Sequence, residues 1–295
     1  MCRRHRTISM ALSVALLVPV VCQAQELRYK FTEGTKNTYT MEQNQNMKMS
    51  AMGQEFEIKI GMSFDMTQSI ASVDTATGNA LVKQKIERVF MKMEGGPLGV
   101  MEFDSKSDKE PDGPLAPMAG ILKAMTEGDI QMNMSPRGEV SNVKMPEKLA
   151  EEMRNIGGAA GPGGNLFSED QFKNMFNQAA LILPKEAPTP GSTSWDQSLD
   201  LKMGPIGTMK STTKYTYAGK SGAFDKIDMK MDMKFEGDPA APIQMKLSTK
   251  EANGTALFDN AKGRLHEISV KTVNEMDMGG IGTAYMTQTM TMKLK

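Results

Sequence analysis

What most constrains this chain is a period of two. In IDMKMDMKFEG (227–237) an apolar residue, most often Met, falls at every second position, with a charge between. Tyr39, Met41, Gln43, Gln45, Met47, Met49 and Ala51 share one face of an extended strand in the same way. Phe56, Ile58, Ile60, Met62, Phe64 and Met66 share one face of the next. Successive strand side chains point to opposite faces, so alternation of this kind marks strands with one face covered and one in water. Met91 with Met93 and Met290 with Met292 repeat the pattern elsewhere.

The strand runs are separated by short turn signals. Met52-Gly53 reads as a hairpin tip, and further turns read DTATGN (74–79), EGGPLG (94–99), SPRGE (135–139), MGPIG (203–207), AGKSG (218–222), EANGT (251–255) and DMGGIG (277–282). Asn253-Gly254 carries the strongest local turn signal, because Asn-Gly readily supplies two positive φ angles. Connections this short join only antiparallel neighbours. The pattern therefore predicts a meander of roughly a dozen strands, with one running unbroken over 54–74. Within 80–93 the apolar phase slips, from Val82 and Ile86 to Val89, Met91 and Met93, which predicts a β-bulge near Arg88. Long, bent antiparallel strands predict a mainly β (α+β) fold, a curved sheet or open half-barrel with two or three covering helices.

Three helices are expected. Met118, Ile121, Leu122 and Met125 fall at helical spacing before Gly128; Leu149, Met153 and Ile156 form a stripe between Pro146 and Gly157. Ser168 and Gln171 make a capping box for a third, lined by Phe172, Met175, Phe176 and Ala179. GGAAGPGGN (157–165) reads as a flexible linker. The expected organisation is a single β-rich domain over 25–295, with a strand-rich half at 26–144, a helical segment at 145–183 and a second strand-rich half at 190–295.

The start of the chain, MCRRHRTISMALSVALLVPVVCQAQE, has a basic opening, a short apolar run and a small residue before the expected cut after Ala24. That is a secretory signal peptide, which predicts a secreted or periplasmic protein. A lipoprotein signal acylated at Cys22 fits less well, because bulky Val21 precedes it. Cleavage removes Cys2 and Cys22, leaving no disulfide, thiol nucleophile or thiolate metal site. Loss of Arg3, Arg4 and Arg6 takes a formally neutral chain to −3, which argues against nucleic acid as a partner. No second apolar run is long enough to span a membrane.

LRYKFTEGTKNTYTMEQ (27–43), SVDTATGNALVK (72–83), MEFDS (101–105), MSPRGEVSNV (134–143) and LPKEAPTPGSTSWDQSL (183–199) occur in an order that resembles a family of secreted bacterial proteins, common in planctomycetes, carrying a domain of unknown function. The resemblance implies an exported β-rich protein. It carries over no catalytic residue.

The residue inventory is poor in catalytic chemistry. His266 is the one histidine left after cleavage, and no HExxH, GxSxG or GxxxxGK[ST] pattern is present. A non-enzyme is expected, and His266 reads as a histidine at the margin of an apolar face. FDSKSDKEPDG (103–113) fails EF-hand spacing at Lys106 and reads as a solvated loop. The methionines are more informative. A rigid core favours Ile, Val and Leu, whereas Met keeps a surface apolar yet adaptable. Gln43 and Gln45, on the same face as Met41 and Met47, belong in a partly wet cavity rather than a dry core.

These observations predict a Met-lined concave face, with the helices as plug or lid, holding a lipid or other apolar small molecule without a cofactor. Its expected lining is Met47, Met49, Phe56, Ile58, Ile60, Met62, Phe64, Met66, Met91, Met93, Met229, Met231, Met233, Phe235, Met290 and Met292. Two alternatives remain open at this level: Cu(I) held by thioethers, and an envelope structural or interaction protein whose methionines are simply core.

Overall fold

The computed structural model describes residues 25–51, 54–95, 99–107, 116–159, 180–202, 207–239, 245–279 and 282–295. The expected signal peptide (1–24), the Met52-Gly53 tip and the third helix lie outside these residues. Among them run β1 (Lys36–Ala51), β2 (Gln54–Val73), β3 (Ala80–Gly95), β4 (Val100–Asp104), α1 (Ala116–Ala124), β5 (Asp129–Met134), β6 (Val140–Lys144) and α2 (Glu147–Ala159). Then follow β7 (Ser194–Lys202), β8 (Gly207–Ser221), β9 (Phe224–Gly237), β10 (Lys246–Asp259), β11 (Arg264–Asp277) and β12 (Gly282–Leu294). All twelve strands form one antiparallel sheet in the order β6-β5-β3-β2-β1-β12-β11-β10-β9-β8-β7, with β4 on β3. Its two ends do not meet, so the sheet is open rather than a closed barrel. The two strand-rich halves join where β1 pairs β12, from Tyr39 opposite Leu294 to Ala51 opposite Gly282.

The slip of phase in β3 is a bulge. Asp65 of β2 faces Arg88 while Met66 faces Ile86, leaving Glu87 as the extra residue, and the inward set changes parity there. Arg88 then donates to both carboxylate oxygens of Asp104, at 3.0 and 2.6 Å, tying β3 to the end of β4.

The EANGT turn is not observed. Asn253 and Gly254 lie inside β10, opposite Lys271 and Val270 of β11. A Cβ on Gly254 would sit 2.6 Å from the Ser269 carbonyl oxygen and 2.8 Å from the Met229 methyl, so the glycine serves a close approach within the sheet. The β10–β11 reversal falls instead at Asn260–Gly263, where Gly263 takes a φ of 63°. The β8–β9 tip falls at Gly222-Ala223, on the last residue of the expected AGKSG turn and the one after it, and Ala218 forms a bulge within β8.

One face of the sheet is polar, with cross-strand pairs such as Lys271–Glu251, Lys293–Glu267 and Lys210–Glu236 at 2.8, 3.2 and 2.7 Å. Each exposed pair contributes little, about 0–1 kcal/mol. The other face holds the core, at the end of the strands we term the base. In the first half Tyr39, Phe64, Ile70, Val82, Ile86, Val89 and Met91 pack together, with Leu122 of α1 against them. In the second half Tyr215, Tyr217, Ile227, Phe258, Leu265 and Ile268 pack with Leu27, Leu181 and Leu183. Phe258 is fully buried, a contribution of about 1.5–3 kcal/mol for a side chain of this size.

Two extended segments strap the base. Tyr29 N–H donates to the Pro136 carbonyl at 2.7 Å, and Leu183 N–H to the Arg137 carbonyl at 2.8 Å. Arg28 donates to the carbonyls of Leu27, Pro184 and Lys185, and Trp195 Nε1 to that of Ile182 at 2.7 Å. Tyr29 and Met292 pack against both clusters, so the two cores are bridged. The expected covering of the Met strands by helices is met in part, since Met66 and Met91 belong to the cluster that α1 packs against. α1 lies on the first cluster, and α2 stacks on α1 through Leu149 and Met153 against Ala124. An amphipathic stripe demands a partner surface without specifying which. Gly157, expected to end the second helix, lies within α2, which runs to Ala159, and the rest of the expected linker falls outside the described residues.

Candidate functional site

Strand register places the inward side chains in rows across the sheet. Nearest the base they are core. Past the row in which Gln43 faces Met290, the next row is polar: Gln45 faces Gln288, which in turn faces Thr272 of β11. Beyond it, toward the opposite end of the strands (the rim), the side chains turn apolar again. Met47 faces Met286 and Ile58, and Met49 faces Ala284 and Phe56. On the second half, Met231, Met233 and Phe235 of β9 face Thr213, Ser211 and Met209 of β8.

The expected lining residues divide along these rows. Phe64, Met66, Met91 and Met229 are only 3–7% exposed and serve as packed core. Ile60, Met62, Met93 and Met292 are half-buried and pack against the core clusters. Met47, Met49, Phe56, Ile58, Met231, Met233, Phe235 and Met290 are half-buried and belong to neither cluster. The apolar rim is thus carried mainly by residues that the core does not use.

Gln43 and Gln45 were expected on this face, but sequence reasoning missed the other polar members, Gln288, Thr249 and Asn274. Asn274 of β11 faces Met286 on one side and Thr249 on the other. It is 3% exposed, and its Oδ1 has no hydrogen-bond partner. Buried polar atoms are nearly always paired, so this oxygen stands out. The signal was present as an Asn at an inward position of the alternation Ile268, Val270, Thr272, Asn274, Met276, readable only once register is known. Nearby, Gln45 Nε2 donates to Met286 Sδ at 3.1 Å.

Charge is absent from this surface. From the Gln45 row to the rim, no inward position of the described strands is Asp, Glu, Lys or Arg. The nearest inward charge, Asp225, lies in the base, where Tyr217 Oη and Lys220 Nζ both donate to it at 2.7 Å. Its charge is spent on closing the core.

The sheet also has a seam here. β9 and β10 are laddered from Asp225 opposite Phe258 to Lys230 opposite Asn253, and the ladder stops there although both strands continue to the rim. Lys250 is an extra residue in β10 at this point, since Thr249 faces Asn274 and Glu251 faces Val273. Thr249 Oγ1 donates to the Met233 carbonyl at 3.4 Å across the seam. Bulges re-aim side chains, and this one sits beside Asn274.

His266 stacks on Phe224, with ring centroids 4.0 Å apart, away from the rim. Among the described residues no three His, Cys, Asp or Glu side chains lie together as a metal site, and no helix is long and apolar enough to cross a membrane. An outward groove of about 380 Å³ over Gly61, lined by Asn44, Asn46, Lys59 and Lys92, belongs to the polar face.

The chain matches the family of unknown function DUF6263 over residues 77–265, and it belongs to that family. No curated protein matches it. Among solved structures it is similar to lipovitellin, described for its lipid–protein interactions, at 11% identity over 90% of this chain with a TM-score of 0.45. The chain spans 25% of that lipovitellin chain. It is also similar to DynF from the dynemicin biosynthesis pathway of Micromonospora chersina, at 10% identity, 97% and 94% coverage and a TM-score of 0.24. An outer membrane channel from Pseudomonas putida F1 gives 7% identity, 90% and 97% coverage and a TM-score of 0.26.

Proposed function

We propose that this member of the family of unknown function DUF6263 is an exported, non-catalytic protein that binds a hydrophobic or amphiphilic molecule against the rim half of its inner face. One observation carries the reading. The rim presents Met47, Met49, Phe56, Ile58, Met231, Met233 and Phe235 as an uncharged apolar surface that belongs to neither core cluster. Apolar surface left half-buried forgoes burial free energy that a ligand or partner covering it would supply. Methionine suits such a surface, because its unbranched thioether chain repacks against varied apolar shapes. Export rests on the amino-terminal sequence alone, and the absence of catalysis on the scarcity of histidine and thiol.

Native mass spectrometry of the mature chain, purified gently from the envelope of its own cells, tests the reading. An added mass that disappears on delipidation supports it and gives the ligand class. A retained copper mass assigns the methionines to thioether coordination instead. A bare polypeptide mass, unchanged when lipid is offered, contradicts the proposal and leaves the rim as structural surface.

A further inference from the structure

We infer that Asn274 is the polar anchor of this site, and that the ligand is an uncharged amphiphile whose head group donates a hydrogen bond, such as a long-chain alcohol or amide. The inference rests on the proposed binding of apolar ligands at the rim and specifies their chemistry. Three independent observations converge on it.

The first is the unpartnered oxygen. Asn274 Oδ1 is a buried acceptor with nothing donating to it. Leaving such a group unpaired costs about 1–3 kcal/mol, a penalty that a ligand donor removes. The second is position. Asn274 lies in the row between Met286 and Thr249, with Gln288 and Gln45 in the row nearer the base. A head group at Asn274 leaves its chain free to run over Met231, Met233 and Phe235 of β9. The β9–β10 ladder stops one strand away, beside this row.

The third is charge. No inward residue from the Gln45 row to the rim is cationic, so an ionised carboxylate or phosphate buried there finds no counter-charge. It also sets an acceptor against the Asn274 acceptor. Burying an unpaired charge is far costlier than burying an uncharged hydroxyl. The site therefore selects the alcohol over the acid of equal chain length.

Displacement of the neutral dye Nile red from the purified mature chain by 1-dodecanol, dodecyl methyl ether and dodecanoate at neutral pH tests this directly. The three probes share a chain and differ in donor and charge. Dodecanol should displace the dye about fivefold or more tightly than the ether, the scale of one hydrogen bond to a buried acceptor, and dodecanoate should bind weakest. Asn274→Leu should bring alcohol and ether to equal affinity. Equal affinity of alcohol and ether for the wild-type chain, with dye binding intact, overturns the anchor and leaves the apolar site standing. Failure of Nile red to bind at all overturns both readings. The wild-type comparison needs no variant, so a poorly folding Asn274→Leu chain does not obscure the result.

Discussion

The side-chain amide of Gln45 donates to the thioether sulfur of Met286 at 3.1 Å, across the strand pair that joins the two halves of the sheet. Here the polar row hands over to the apolar rim. A thioether is a weak acceptor, so the bond orients the glutamine more than it stabilises the fold. Gln45→Leu should change stability by less than about 1 kcal/mol and raise the affinity for Nile red by extending the apolar surface. Urea denaturation and a dye titration on the same preparation check both parts.

Gly254 is a packing glycine in mid-strand. Gly254→Ala places a methyl group 2.6 Å from the Ser269 carbonyl oxygen, which cannot yield without moving β11. The substitution should cost about 1–3 kcal/mol, the range for overpacking. Urea denaturation of the wild-type and Gly254→Ala chains measures the loss.

Arg137 holds the second strap. Its guanidinium donates from Nε and Nη2 to the Leu183 carbonyl, each at 3.2 Å, and from Nη1 to Glu139. Arg137→Met keeps the stem and removes these bonds, at an expected cost of about 1.5–3 kcal/mol for charge-assisted hydrogen bonds. Limited proteolysis should then cut first near residues 184–190, where the strap leaves the core.

Alkaline pH should weaken the base of the sheet. Burial pushes the hydroxyls of Tyr39 and Tyr215 up to about 12 from an ordinary 10.0. The folded chain therefore holds these protons more tightly than the unfolded chain does. The resulting stability is complete below pH 10 and is lost as pH rises through about 12. Tyr39→Phe, which also removes the bond to the Leu265 carbonyl at 3.2 Å, should flatten this decline while lowering stability at neutral pH. Urea midpoints between pH 8 and 11 check the slope.

The period of two was legible because one face of the sheet is core and the other is water, and that contrast is written directly into the residues. The bulge near Arg88 followed from the same logic, since an extra residue must shift the apolar phase. Asn253-Gly254 misled for the opposite reason. A local turn preference yielded to a tertiary demand for a residue without Cβ beside Met229 and Ser269. The rim methionines were visible as apolar, but which were core and which half-buried depended on the straps over the base. Asn274, Thr249 and Gln288 become neighbours only through register between β10, β11 and β12, which no single stretch records. The break between β9 and β10 is likewise a relation between strands.

We propose that the Met-rich rim, rather than the sheet at large, binds apolar ligands. Nile red titration of the mature chain against Met233→Lys, with Thr212→Lys on the outer face as the matched charge, measures it most directly. Met233 is inward and half-buried, whereas Thr212 is exposed. An ammonium at the rim should weaken dye binding about tenfold or more, since it must be desolvated or displace the dye. Thr212→Lys should leave binding unchanged. Equal affinity for all three chains, each folded by circular dichroism, would contradict the account.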